Sequence, residues 1–132
     1  MSRARDLADS ASGAQLVDIT SSFTRNANWV KWSTERVYHD PVKDLVHVQL
    51  ALYVDATTTG GTADWQEPAN NTVLYTIASP YHPAEQFLTT NITGIYDSST
   101  VVFDTNGEIR LDSPMNWESS RFRVAINCWY RI

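Results

Sequence analysis

Cysteine is almost absent from this chain: Cys128 is the one example in 132 residues. No intrachain disulfide can form, and the apolar alternating segment around Cys128 predicts a buried small hydrophobe. Long apolar runs are missing as well. No window approaches ~18 uninterrupted apolar residues. The opening MSRARDLADSASG carries charge without an apolar core. The expectation is a protein with neither signal peptide nor membrane-inserted helix, made in a reducing cytoplasm. Positive charge is scarce: ten basic against fifteen acidic residues give a net charge of −5. No basic run accompanies an aromatic platform, so the electrostatic footprint of a nucleic-acid binder is missing. Internal repeats and low-complexity tracts are absent too.

Signatures of catalysis are equally sparse. There is no G-x-S-x-G, no Gly-rich phosphate loop and no Cys/His pair with plausible geometry. His39, His47 and His82 show neither H-x-H nor H-E-x-x-H spacing. The grouping His39, Asp40, Asp44 and His47 converges on a metal only if the connection folds back, and charged residues near a turn are usually solvated. Asp104-Thr-Asn-Gly-Glu108 opens like a calcium loop but lacks the distal bidentate glutamate, so a turn is expected there. Fifteen acids make some carboxylate pair inevitable, which is no evidence for glycosidase chemistry. Asn70-Asn71-Thr72 and Asn91-Ile92-Thr93 match a glycosylation triplet without a secretory signal beside them. The reading is of a protein that is no enzyme, with no cofactor, no metal and no catalytic residue.

What is present is a change of period. Residues 1–16 form a compositionally distinct N-terminal arm, in which Ala4, Leu7, Ala8 and Ala11 would share one helical face. From Val17 to Ile132 the period is two. In 45–55, Val46, Val48, Leu50, Leu52 and Val54 share one face and His47, Gln49, Ala51 and Tyr53 the other. In 122–132, Phe122, Val124, Ile126, Cys128 and Tyr130 lie opposite Arg123, Ala125, Asn127 and Trp129. Further strands are expected over Asn28–Tyr38, Thr72–Ala78, Gln86–Ile92, Val101–Asp104 and Glu108–Asp112. The last two pair through Thr105-Asn106-Gly107, whose Asn-Gly supplies positive φ. Turn-rich connections separate them, among them Asp55–Asn71, Ser79–Glu85 and Ser113–Ser120. A chain of 132 residues buries enough for one domain. The fold class expected is all-β, an antiparallel β-sandwich over 17–132 with the short arm before it.

Five tryptophans and six tyrosines exceed what one core needs. Trp65, Tyr81 and Trp117 fall in the turn-rich connections, where aromatic faces can stack on sugar rings while Asp64, Gln66, Glu67, Asn116 and Glu118 read hydroxyls. The same residues can equally cap the ends of a sandwich or seal subunit interfaces.

YHPAEQF (81–87), TVVFDTNGEIRL (100–111) and FRVAINCWYRI (122–132), in that order, resemble the distal head domains of tailed-bacteriophage fibres and receptor-binding proteins. Tyr81, Pro83, Ala84, Asn106, Gly107, Ile109 and Tyr130 occupy the places of that pattern, with Trp29 and VHVQLALYV (46–54) fitting upstream. His82 and Pro83 followed by Glu85 depart from the pattern, since many relatives carry an arginine-proline pair there. The resemblance implies a jelly-roll-like homotrimer located in a virion. It implies attachment to other virion proteins through the arm, where Arg3, Arg5 and Leu7 are the candidate contacts. It also implies a head that binds a host-surface glycan, with Trp65, Tyr81 and Trp117 as candidate ligand residues. A capsid decoration protein and a free carbohydrate-binding module are the alternatives, and neither nucleic acid nor membrane is an expected partner.

Overall fold

The computed structural model describes residues 15–55, 69–93, 97–116 and 121–132. They form two antiparallel sheets packed face to face. Strands β1 (Val17–Asp18), β3 (Val30–Asp40), β4 (Leu45–Asp55) and β9 (Arg121–Arg131) make a four-stranded sheet in the order β1-β3-β4-β9. Strands β2 (Phe23–Arg25), β5 (Val73–Ile77), β8 (Glu108–Asn116), β7 (Asp97–Phe103) and β6 (Phe87–Thr93) make the second in the order β2-β5-β8-β7-β6. The only helical turns among the described residues are two three-residue 3₁₀ segments, Thr20–Ser22 and Ser79–Tyr81.

The period-two segments become the spine of the first sheet. β4 and β9 pair without a break from Leu45↔Arg131 to Asp55↔Arg121, so one face of both strands is committed to the interior. Val46, Val48, Leu52, Phe122 and Val124 are fully buried there, against Leu74, Ile77, Phe103, Ile109 and Leu111 of the other sheet. Each such side chain contributes about 1.5–3 kcal/mol by leaving water. Trp29 closes one end of this core, its ring edge-on to Phe122 at 6.4 Å. Phe87, Phe103 and Tyr130 cluster at the other, with Phe87 and Phe103 stacked at 4.5 Å. Cys128 faces inward, half-buried, and burial pushes its thiol up to about 12, which leaves it the packing role read from the sequence.

Turn chemistry fixes the hairpins. Asp40, buried, accepts the amides of Val42 and Lys43 on Oδ1 at 3.0 and 3.1 Å, and Asp44 adopts a positive φ of 54°. The Asp40 carboxylate is therefore spent on its own turn. His47 leaves on the outer face, and no group of metal-ligating side chains occurs among the described residues. The β7–β8 turn has a positive φ at Gly107 alone, 91°, so it is an ordinary turn closed by a left-handed glycine and not the doubly left-handed form expected of Asn-Gly. A side chain at Gly107 would collide with the His82 ring, and its Cβ would lie 2.7 Å from the Ile77 carbonyl. His82 Nε2 donates to that same carbonyl at 2.9 Å.

Three polar clusters tie the sheets together. Glu35 on β3 accepts from Tyr75 on β5 at 2.7 Å and pairs with Arg25 on β2. Tyr130 donates to the Tyr81 carbonyl at 2.6 Å. Burial holds both tyrosine phenols well above their usual range, and the Glu35 carboxylate adds to the effect at Tyr75. The third cluster closes the seam between the edge strands β6 and β9. Asn91, 1 % exposed, accepts the Ala125 amide on Oδ1 at 2.8 Å and donates from Nδ2 to the Arg123 carbonyl at 3.2 Å. A side-chain amide thus takes the place of a strand neighbour along part of an edge that would otherwise invite foreign pairing.

Candidate functional site

Because β9 alternates, Arg121, Arg123, Ala125, Asn127 and Trp129 point away from the core. Register places them across from the outward residues of β4: Tyr53↔Arg123, Ala51↔Ala125, Gln49↔Asn127 and His47↔Trp129. β3 adds Arg36 opposite Gln49 and Tyr38 opposite His47. The outer face of the four-stranded sheet is therefore aromatic and polar, with two small residues at its middle.

Trp129 dominates this face. The residue is 49 % exposed, and its ring is stacked on the His47 imidazole with centroids 4.2 Å apart and planes 5° from parallel. His47 Nε2 donates to Asn127 Oδ1 at 3.0 Å. One histidine thereby holds both an indole and an amide. Asn127 keeps its two amide protons for another acceptor, and the indole keeps one face uncovered.

Trp129 also helps to line a hollow of about 460 Å³, together with Ala84, Glu85, Gln86, Phe87, Tyr130 and Arg131. This volume lies within the range of small-ligand sites. Its wall on one side is the chain after the 3₁₀ turn, where Pro83 precedes Ala84. The Ala84 amide donates to the Arg131 carbonyl at 2.8 Å, pinning that wall to the end of β9. Phe87 and Tyr130, with ring centroids 5.8 Å apart, are among its lining residues, and so are the exposed polar residues Glu85, Gln86 and Arg131. An aromatic plane with hydrogen-bonding groups around it suits a sugar ring, whose axial C–H groups pack on the π face while hydroxyls reach the rim.

Of the three ligand residues expected from the sequence, Tyr81 is not among the residues that line this hollow. Its ring packs at 5.4 Å against His39, and its carbonyl positions Tyr130. Trp65 and Trp117 lie outside the described residues, as do Arg3, Arg5 and Leu7 of the arm. The sequence placed Trp129 on the outward face without singling it out. The available signal was the cross-strand pairing of two outward aromatic rings, His47 and Trp129, which the matched periods of β4 and β9 imply once the register is known.

A second depression of about 280 Å³ lies on the outer face of the four-stranded sheet, lined by Thr34, Arg36, Gln49, Ala51, Ala125 and Asn127 among others. Beyond it stand two arginine–aromatic pairs, Arg123 over Trp32 at 5.9 Å and Arg121 over Tyr53 at 4.9 Å. Among the described residues no helix is long and apolar enough to cross a membrane. No family model, no curated protein and no solved structure matches this chain.

Proposed function

We propose that this chain is the head of a bacteriophage surface fibre or spike, a virion protein that binds a host-surface glycan and carries out no catalysis. The observation that supports the binding role is the Trp129 platform: an exposed indole, held flat by His47, beside a hollow lined in part by Glu85, Gln86 and Arg131. Rigid aromatic surface of this kind carries a large share of the energy at recognition sites. The virion assignment rests on the order of the YHPAEQF, TVVFDTNGEIRL and FRVAINCWYRI segments. The proposal includes a jelly-roll-like head, a homotrimer and an arm over 1–16 that joins it to other virion proteins. Three heads on one particle multiply a weak site by avidity without new contacts.

A Trp129→Ala variant tests the reading, since position 129 is outside the core and the fold does not depend on it. The variant is expected to remain a particle of three chains by light scattering. It is also expected to lose adsorption to host cells by at least about tenfold, the effect of roughly 1.4 kcal/mol at a single site. Adsorption equal to the parent's would turn the proposal to a capsid decoration role for the same domain.

A further inference from the structure

We infer that the site takes an internal stretch of a linear polysaccharide, laid along β9, and not the terminal sugar of a branch; this rests on the glycan-binding reading above. A site for a terminal sugar closes around one ring. Here the polar lining does not stop at the Trp129 hollow. Asn127, held by His47, lines the second depression together with Arg36 and Gln49. From Trp129 to Ala125 is four residues of strand, about 14 Å, and to Arg123 about 20 Å, which is room for several sugar rings in a row.

The floor along this path is low because Ala51 and Ala125 are directly paired, the smallest residues among larger neighbours on either side. At its far end Trp32, 46 % exposed and held under Arg123, offers a second aromatic face. The path thus runs from one exposed tryptophan to another. The edge of β9 adds to it. Asn91 takes the Ala125 amide and the Arg123 carbonyl there, and the Ala84 amide takes the Arg131 carbonyl. By strand alternation the N–H and C=O groups of Asn127 and Trp129 point to the same edge, where among the described residues no strand pairs with them, and these are the groups open to hydroxyls.

Size separates the two kinds of site. The probe is an array of deproteinised bacterial surface polysaccharides with their hydrolysis fragments, from monosaccharides to fragments several sugars long. Binding is measured to the parent, Ala125→Leu, Trp32→Ala and Trp129→Ala proteins. Long fragments are expected to bind the parent about tenfold or more tightly than monosaccharides. Ala125→Leu, which raises the exposed floor without touching the core, and Trp32→Ala are expected to remove most of that gain and leave monosaccharide binding unchanged. Equal affinity for short and long fragments, or parent-like binding of long fragments by both variants, overturns the extended site while the Trp129 reading stands. Insensitivity of every fragment to Trp129→Ala overturns the glycan platform itself. Retention only of a protease-sensitive host component, with no polysaccharide bound, overturns both and points to an extended peptide added to the β9 edge.

Discussion

Replacing the buried Asn91 by alanine should loosen the seam between the two sheets. The hydrogen bonds of the side chain include those with the Ala125 amide, the Arg123 carbonyl and the Ser99 hydroxyl, at 2.8, 3.2 and 3.1 Å. A typical intramolecular hydrogen bond contributes about 0.5–1.5 kcal/mol, and a partner left buried and unpaired costs about 1–3 kcal/mol. Ser99 is buried but Ala125 is exposed, so water can reach part of what is vacated, and the expected loss is about 2–4 kcal/mol. For a domain of this size that corresponds to a fall in Tm of roughly 6–14 °C. Urea unfolding followed by tryptophan fluorescence, at one fixed protein concentration because association shifts apparent stability, measures it directly. Asn91→Asp provides the sharper contrast. It keeps an acceptor for Ala125 but turns a second oxygen toward the Arg123 carbonyl, so the introduced acid favours its protonated form in the folded state. Its folded pKa then lies above the usual value of about 3.9. The stabilisation from that proton is present below the unfolded pKa and is lost as pH rises through the folded one, so the deficit against the parent widens from acid to neutral pH. If Asn91→Ala loses less than about 0.5 kcal/mol, water replaces the amide freely and the seam is not held this way.

Gly107→Ala should destabilise by about 2–3 kcal/mol, from the positive φ together with the approach to Ile77 and His82. Removing the ring by adding His82→Ala is expected to recover only part of this, since the backbone carbonyl at 2.7 Å remains, and a full recovery in urea titrations would place the whole cost on the ring. In alkaline solution the raised phenols of Tyr75 and Tyr130 contribute stability that is complete below the unfolded pKa near 10 and lost as pH climbs toward their folded values. Unfolding free energy should fall by up to about 1.4 kcal/mol per pH unit for each of them. Tyr75→Phe should remove one such increment and the Glu35 hydrogen bond together, and a stability profile flat up to pH 11 would contradict the burial of both rings. The Cys128 thiol, pushed up to about 12, should resist alkylation at pH 8 until the domain is unfolded, and rapid labelling of the folded protein would contradict its inward orientation.

The long strands were legible because each repeats one pattern often enough to cancel chance. β4 and β9 read correctly on both faces, and the Asn106-Gly107 turn was placed correctly although its geometry was not. β1 and β2 span two and three residues, too few for any period to show. The register they adopt is set by the sheets they join. β8 runs through Ser113 and Pro114 to Asn116, where turn-forming residues argued for a connection. A positive φ of 51° at Ser113, whose amide donates to the Asn70 side chain at 2.9 Å, lets the strand absorb a kink and continue. Alternation assigned Trp129 to the outer face but gave no means of knowing which outward ring stays uncovered. That depends on where residues 84–87 return to the end of β9, a contact of long sequence separation which local pattern does not encode.

The unbroken pairing of β4 with β9 has a consequence for how such a surface can change over time. Even positions of β9 belong to the core and odd positions to the exterior, so the outward set can be substituted one residue at a time with little effect on folding. Chain length is different. One residue inserted or deleted within the strand would turn Phe122, Val124 and Ile126 outward and drive arginines into the interior. The outward surface of this sheet is thus free to drift by point substitution and closed to change by insertion, which confines any variation in length to the connections between strands.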